Sequence, residues 1–156
     1  MAHAPLDALI EAARSYLGVP FRHAGRDRNG VDCVGLILAA ARESGMFDYQ
    51  PRGYARGDSS RLVAEVERFA VEVETEPEAG CLLLLECRGE VTHCALVSER
   101  DTILHADERR GRVVEQRLQA AIRRRVVRCY RWREEPPRQS ASGQPGRVDR
   151  EAGVRP

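Results

Sequence analysis

The chain contains no lysine: all 25 of its basic residues are arginine. No mechanism follows from that bias. Against 24 acidic residues it leaves a formal net charge of +1, too small to draw the protein as a whole toward nucleic acid or an anionic membrane surface. No apolar run approaches the ~20 residues that span a bilayer, so neither a nucleic-acid partner nor membrane insertion is expected. The first 17 residues lack a basic start followed by an apolar block. They carry Asp7, Glu11 and Arg14 inside an amphipathic pattern, which does not read as a secretory signal and predicts a protein that is cytoplasmic at synthesis. The five cysteines are odd in number and include no CxxC pair, which argues against a disulfide framework and against a zinc knuckle. Reduced thiols fit better. There is no internal repeat.

What is present suits one soluble globular domain. Of 156 residues, 42% are apolar and 31% charged, enough to build a real core. Apolar residues at helical spacing (Leu6, Leu9, Ile10, Ala13, Leu17) predict a helix over residues 5–17, with Gly18 closing it. Residues 18–31 read as a loop rich in Gly, Arg and Asp. Asp32 is a good cap for a second helix running to about residue 44. Residues 46–60 read as irregular, and Ser60 can cap a third helix over 61–69.

The period then changes. Residues 71–73, 81–86, 92–98, 102–105 and 111–115 read as short strands, 118–124 as a short helix and 126–132 as a last strand. Helices first and a meander of strands after predict an α+β fold with an antiparallel sheet of about five to six strands. Residues 134–156 hold four Pro, three Gly and no Leu, Ile or aromatic residue. That composition predicts a disordered C-terminal tail. Six arginines within residues 123–133, interleaved with Tyr130 and Trp132, predict a sheet-edge strand with a solvated Arg face. The acidic stretch over 65–78 would offset it.

Three features point to chemistry. Cys33 opens the second helix, where the helix dipole and unpaired backbone N–H groups favour a thiolate. Gly35 keeps that turn bare for a close approach by substrate backbone. His93 begins a strand, sharing a face with Ala95 and Val97, and histidine is the usual base because its pKa lies near neutrality. His105 follows 12 residues later; a turn at residues 99–101 would fold its strand back beside the first, where a polar group can hold the base's ring. Cys81, Cys94 and Cys129 sit in apolar runs and read as core residues. A zinc site built from Cys33, His23, His93 and His105 is the weaker alternative, since there is no short-spaced ligand pair.

These residues carry a resemblance. Tyr16-Leu17-Gly18-Val19-Pro20-Phe21-Arg22-His23-Ala24-Gly25 followed by Asp32-Cys33-Val34-Gly35-Leu36 resembles the YLG-x-PY-x-x-GG and DCSGL motifs of the NlpC-type cell-wall peptidases, which are papain-like cysteine enzymes. Gly80-Cys81-Leu82-Leu83, His93-Cys94-Ala95-Leu96-Val97 and Leu104-His105-Ala106 match the family's later motifs in order. The resemblance covers about residues 6–132. It implies an NlpC-type peptidase domain over 1–133 that hydrolyses peptidoglycan stem peptides, of the γ-D-glutamyl-diaminopimelate type. It implies no metal or other cofactor. Cys33 would be the nucleophile, His93 the base and His105 the third polar residue. Phe21, Asp32, Val34 and Gly35 would form the substrate-binding or oxyanion region. The phage tail-associated branch of the family is the nearest in kind, which implies tail or particle proteins as partners. Three positions depart from the motif: Phe21 for Tyr, Val34 for Ser and Ala24 for Gly. They leave open a thiol amidase or acyltransferase acting on another amide, or a structural particle component with a dormant site.

Overall fold

The computed structural model describes residues 4–51 and 58–135. Three helices precede most of the sheet: α1 (Ala4–Arg14), α2 (Cys33–Glu43) and α3 (Ser59–Phe69). A two-stranded ribbon, β1 (Arg26–Asp27) with β2 (Gly30–Val31), lies between the first two. The main sheet is built from β3 (Ala70–Glu72), β4 (Leu82–Cys87), β5 (Glu90–Glu99), β6 (Thr102–Asp107), β7 (Arg112–Arg117) and β8 (Val126–Trp132), with the short α4 (Ala120–Arg123) before the last strand. The sheet order is β3-β8-β4-β5-β6-β7, antiparallel throughout. This is the α+β architecture that the change of period predicts.

Both faces of the sheet are covered, and the sequence records it. Leu82 to Leu85 are four consecutive buried leucines, because alternate side chains enter different cores. On one face Leu82, Leu84, Cys94, Leu96 and Leu104 meet Leu9, Ile10 and Ala13 of α1 and Ile37, Ala40 and Ala41 of α2. On the other, Leu83, Leu85, Ala95, Val97 and Ile103 pack with Cys81, Cys129 and Leu118, with Ile122 against them. A third cluster joins Tyr16 to Val31, Leu36, Ala39, Ala106 and Val113. It binds the ribbon and the start of β7 to the middle of α2.

Several details differ from the sequence reading. The first helix stops at Arg14, and residues 15–18 tighten into turns through Tyr16 N–H to Ala13 O and Leu17 N–H to Arg14 O. The wholly buried Tyr16 gains from this, since its hydroxyl reaches Glu43 Oε1 at 2.5 Å. Asp58, rather than Ser60, caps α3 by accepting from Arg61 N–H. The Arg-rich last strand is not an edge: β8 lies between β3 and β4. Its arginines are met by the acidic stretch instead, Arg128 by Glu67 and Glu72, and Arg131 by Glu78. Part of the irregular segment expected over 46–60, residues 52–57, lies outside the described residues, as does the tail from residue 136 on. Among the described residues no helix is long and apolar enough to cross a membrane.

Candidate active site

Asp32 is a buried carboxylate with both oxygens at work. Oδ1 accepts from Gly35 N–H at 2.8 Å and caps α2, while Oδ2 accepts from Ala24 N–H at 2.7 Å. One side chain therefore starts the helix and ties the 21–31 loop to it. The loop fits because α2 is bare at Gly35 in its first turn. A Cβ at Gly35 would collide with the Gly25 carbonyl. That corrects the expected role of Gly35: it is buried, and the backbone its missing side chain admits is the protein's own. Ala24 takes a left-handed conformation, φ 56°, which explains why glycine suits that place in the motif.

The result is a half-buried Cys33 at the first position of α2, facing a cleft of about 870 Å³. A hydrogen bond from the Cys94 thiol holds the Cys33 thiol well below its ordinary range. The His93 ring adds to this, by hydrogen bonding and by charge, against burial and the nearby Asp32 carboxylate. Of the two thiols Cys33 favours the anion, because it has the helix N-terminus and the imidazole. Cys94 sits 2% exposed beneath it and is pushed up by that contact and by burial.

The imidazoles come from the hairpin of β5 and β6. Its turn places Asp101 at φ 59°, a conformation that aspartate tolerates. The register Leu96↔Leu104 then brings both histidines to the open end. The β4–β5 ladder shifts register between Leu85 and Glu86, beside the Leu85↔His93 pair, and such irregularities re-aim side chains next to sites. His93 Nε2 lies 2.8 Å from His105 Nδ1, with the rings edge-on at 75°. This leaves Nδ1 as the ring nitrogen of His93 available to the thiol. His105 is buried, and its outer nitrogen Nε2 lies 2.6 Å from Gln116 Nε2 on β7. Burial, then the neighbouring His93, pushes His105 down to about 4; Asp107 opposes this, and Arg110 and Arg125 add to it. The ring is neutral at physiological pH.

The three residues expected to do chemistry are therefore brought together. Phe21, Asp32 and Val34 also line the cleft; Gly35 does not. His23 lines it too, with Nδ1 3.8 Å from Asp32 Oδ2. One wall is aromatic (Phe47, Tyr49, Phe69 and Trp132), and another carries Arg109, Arg110 and Arg125. Among the described residues no group of three or more His, Cys, Asp or Glu side chains is placed to hold a metal ion.

The sequence pattern of the NlpC/P60 family matches residues 18–131. The chain belongs to that family. Known structures share its fold. One is a protein similar to lipoprotein, of the NLP/P60 family, from Staphylococcus aureus subsp. aureus Mu50, 19% identical over 85% of this chain and 42% of that one, with a TM-score of 0.65. Another is the peptidoglycan hydrolase RipB from Mycobacterium tuberculosis, 23% identical over 83% of this chain and 66% of that one, TM-score 0.60. A third is the NlpC/p60 domain of the peptidoglycan hydrolase SagA, 21% identical over 78% of this chain and 94% of that one, TM-score 0.58. The chain thus spans less than half of the Staphylococcus protein. A search among curated protein sequences finds no match.

Two residues of this NlpC/P60 site escaped sequence reasoning. Cys94 reads as core, and it is core, yet its thiol touches Cys33. The available signal was strand alternation: Cys94 shares its face of β5 with Leu96, which packs on α2. Gln116 carries no motif. Only the β6–β7 register, with Ile103↔Gln116 and His105↔Val114, shows it diagonal to His105.

Proposed function

We propose that residues 1–133 form a cysteine peptidase that hydrolyses amide bonds in peptidoglycan stem peptides, with the γ-D-glutamyl-diaminopimelate bond as its target. The observation that carries this reading is the thiol at the tip of α2 in an open cleft, with His93 beside it and His105 behind. His93 accepts the Cys33 proton and the thiolate attacks the amide carbonyl. The resulting oxyanion is met by the Cys33 N–H at the start of α2, which has no partner four residues back. His93 then returns the proton to the leaving amine, leaving a thioester on Cys33. Water, deprotonated by His93, cleaves the thioester, and the acid leaves as the thiol re-forms. His105 holds the His93 ring in place. The aromatic and arginine walls give a peptide with free carboxylates apolar contact and positive charge. Carriage on a phage tail or related particle, where the enzyme opens the wall locally, extends the same reading.

Purified muropeptides followed by mass spectrometry test this. Cleavage of the stem peptide by the wild-type chain, absent in Cys33→Ala at unchanged folding, is expected. Full activity in Cys33→Ala would end the proposal. A second reading, a thiol amidase or acyltransferase on another amide, is favoured by Phe21 and Val34, which put an apolar ring and an aliphatic side chain on the cleft. Turnover of other amides with every muropeptide left intact would select it.

A further inference from the structure

The imidazole pair has two possible proton polarities, and only one serves a base. His105 is neutral, so one of its ring nitrogens holds a proton and the other a lone pair. If the proton is on Nε2, Nδ1 accepts from His93 Nε2–H. The lone pair of His93 then lies on Nδ1, free to receive the thiol proton. The imidazolium that follows keeps the same donor bond. If the proton is on His105 Nδ1 instead, that N–H donates to His93 Nε2. His93 must then carry its own proton on Nδ1, facing the thiol with a donor, and an imidazolium would set two N–H groups against each other. The group that decides between these states sits at the far end of the row, 2.6 Å from His105 Nε2. It is the amide of Gln116, placed with its nitrogen toward the ring; that nitrogen donates, and the oxygen at the other end of the amide accepts. A half turn about the last side-chain bond exchanges the two ends.

We infer that Gln116 is a positioning residue that sets the proton polarity of the pair: its amide oxygen accepts from His105 Nε2–H, which holds His105 Nδ1 as the acceptor for His93. The inference rests on the peptidase reading for its purpose, though not for its measurement. Gln116 suits the task by placement, since β7 is the sheet edge beyond β6 and carries the amide diagonally across to the buried ring. A residue that filled the same space without an acceptor would support the ring and leave its proton undecided.

Nitrogen-15 NMR of histidine-labelled full-length protein reads the polarity directly. In the wild type, His105 is expected to show its proton on Nε2 and a lone pair on Nδ1. Gln116→Met keeps the length and removes the acceptor. It is expected to populate the other tautomer, to slow iodoacetamide capture of Cys33 at neutral pH and to move that reaction's pH profile toward alkaline values. Hydrolysis should fall about tenfold or more, within the range that a general base contributes, in kcat rather than in KM. A His105 proton on Nδ1 in the wild type would overturn the inference, as would an unchanged alkylation profile in folded Gln116→Met. Should the wild type cleave no muropeptide, the peptidase reading fails, while the tautomer and alkylation results still decide the role of Gln116.

Discussion

The sheet carries a pair of touching thiols on each face, and the two pairs have different fates. On the α2 face Cys94 donates to Cys33; on the opposite face Cys129 donates to Cys81, taking Cys81 down to about 6, with the Glu78 backbone and Arg131 assisting against burial. Both pairs thus hold one thiol that favours the anion. Of these two, Cys33 lines the cleft, has an imidazole at hand and sits on a helix tip. Cys81 is 3% exposed, in the cluster of Leu83, Ala95 and Cys129. A lowered thiol pKa by itself makes neither a nucleophile nor a site. Reactivity also needs access, and hydrolysis needs a base that can return the proton to the leaving group.

Removing one thiol from each face should separate the pairs most sharply. Cys33→Ala is expected to cost about 10³-fold or more in muropeptide hydrolysis, and Cys81→Ala to leave it essentially unchanged. Comparable losses in both would erase the contrast. The next effect is on stability. A histidine ring unfolded in water takes its proton near pH 6.5, and folded His105 only near 4. Between those values the unfolded state binds more protons, so the native state loses stability as pH falls. The loss begins near 6.5 and reaches about 3 kcal/mol near pH 4. Urea titrations near neutrality and near pH 4 should show His105→Asn relieved of that loss; an unaltered pH slope would mean that the buried ring is not the cause.

Gly35→Ala probes the setting of the reactive thiol. Its Cβ meets the Gly25 carbonyl, and overpacking of this kind costs about 1–3 kcal/mol. Thermal unfolding should fall accordingly, and a variant as stable as the wild type would show the loop to be slack. The smallest effect sharpens the comparison furthest. Cys94→Ala removes the donor to Cys33, so the pH profile of iodoacetamide capture at Cys33 should move toward alkaline values. Cys129→Ala should leave that profile alone. A Cys33 profile insensitive to Cys94 would assign the lowered thiol to His93 and the helix tip alone.

Much of this was legible in the chain. Order and spacing along local elements predict the α+β class, about five to six strands, the Asp32 cap and the pairing of the His93 and His105 strands, because a helix tip and a hairpin are short-range objects; the roles of Cys33, His93 and His105 come from the family resemblance. The sequence puts the last strand at an edge and the fold does not, since pairing partners distant in sequence leave no periodicity to read. Gly35 was read as an opening for substrate for the same reason: nothing local says which backbone fills the space beside a glycine.

The residues by themselves determined where a thiolate is favoured, because caps and helix starts act within a few residues. Only the folded chain decided that Cys94 lies under Cys33, that Gln116 ends the imidazole row and that β8 is enclosed. Those contacts join residues 11 to 62 positions apart, and they exist because two faces of one sheet had to be buried at once.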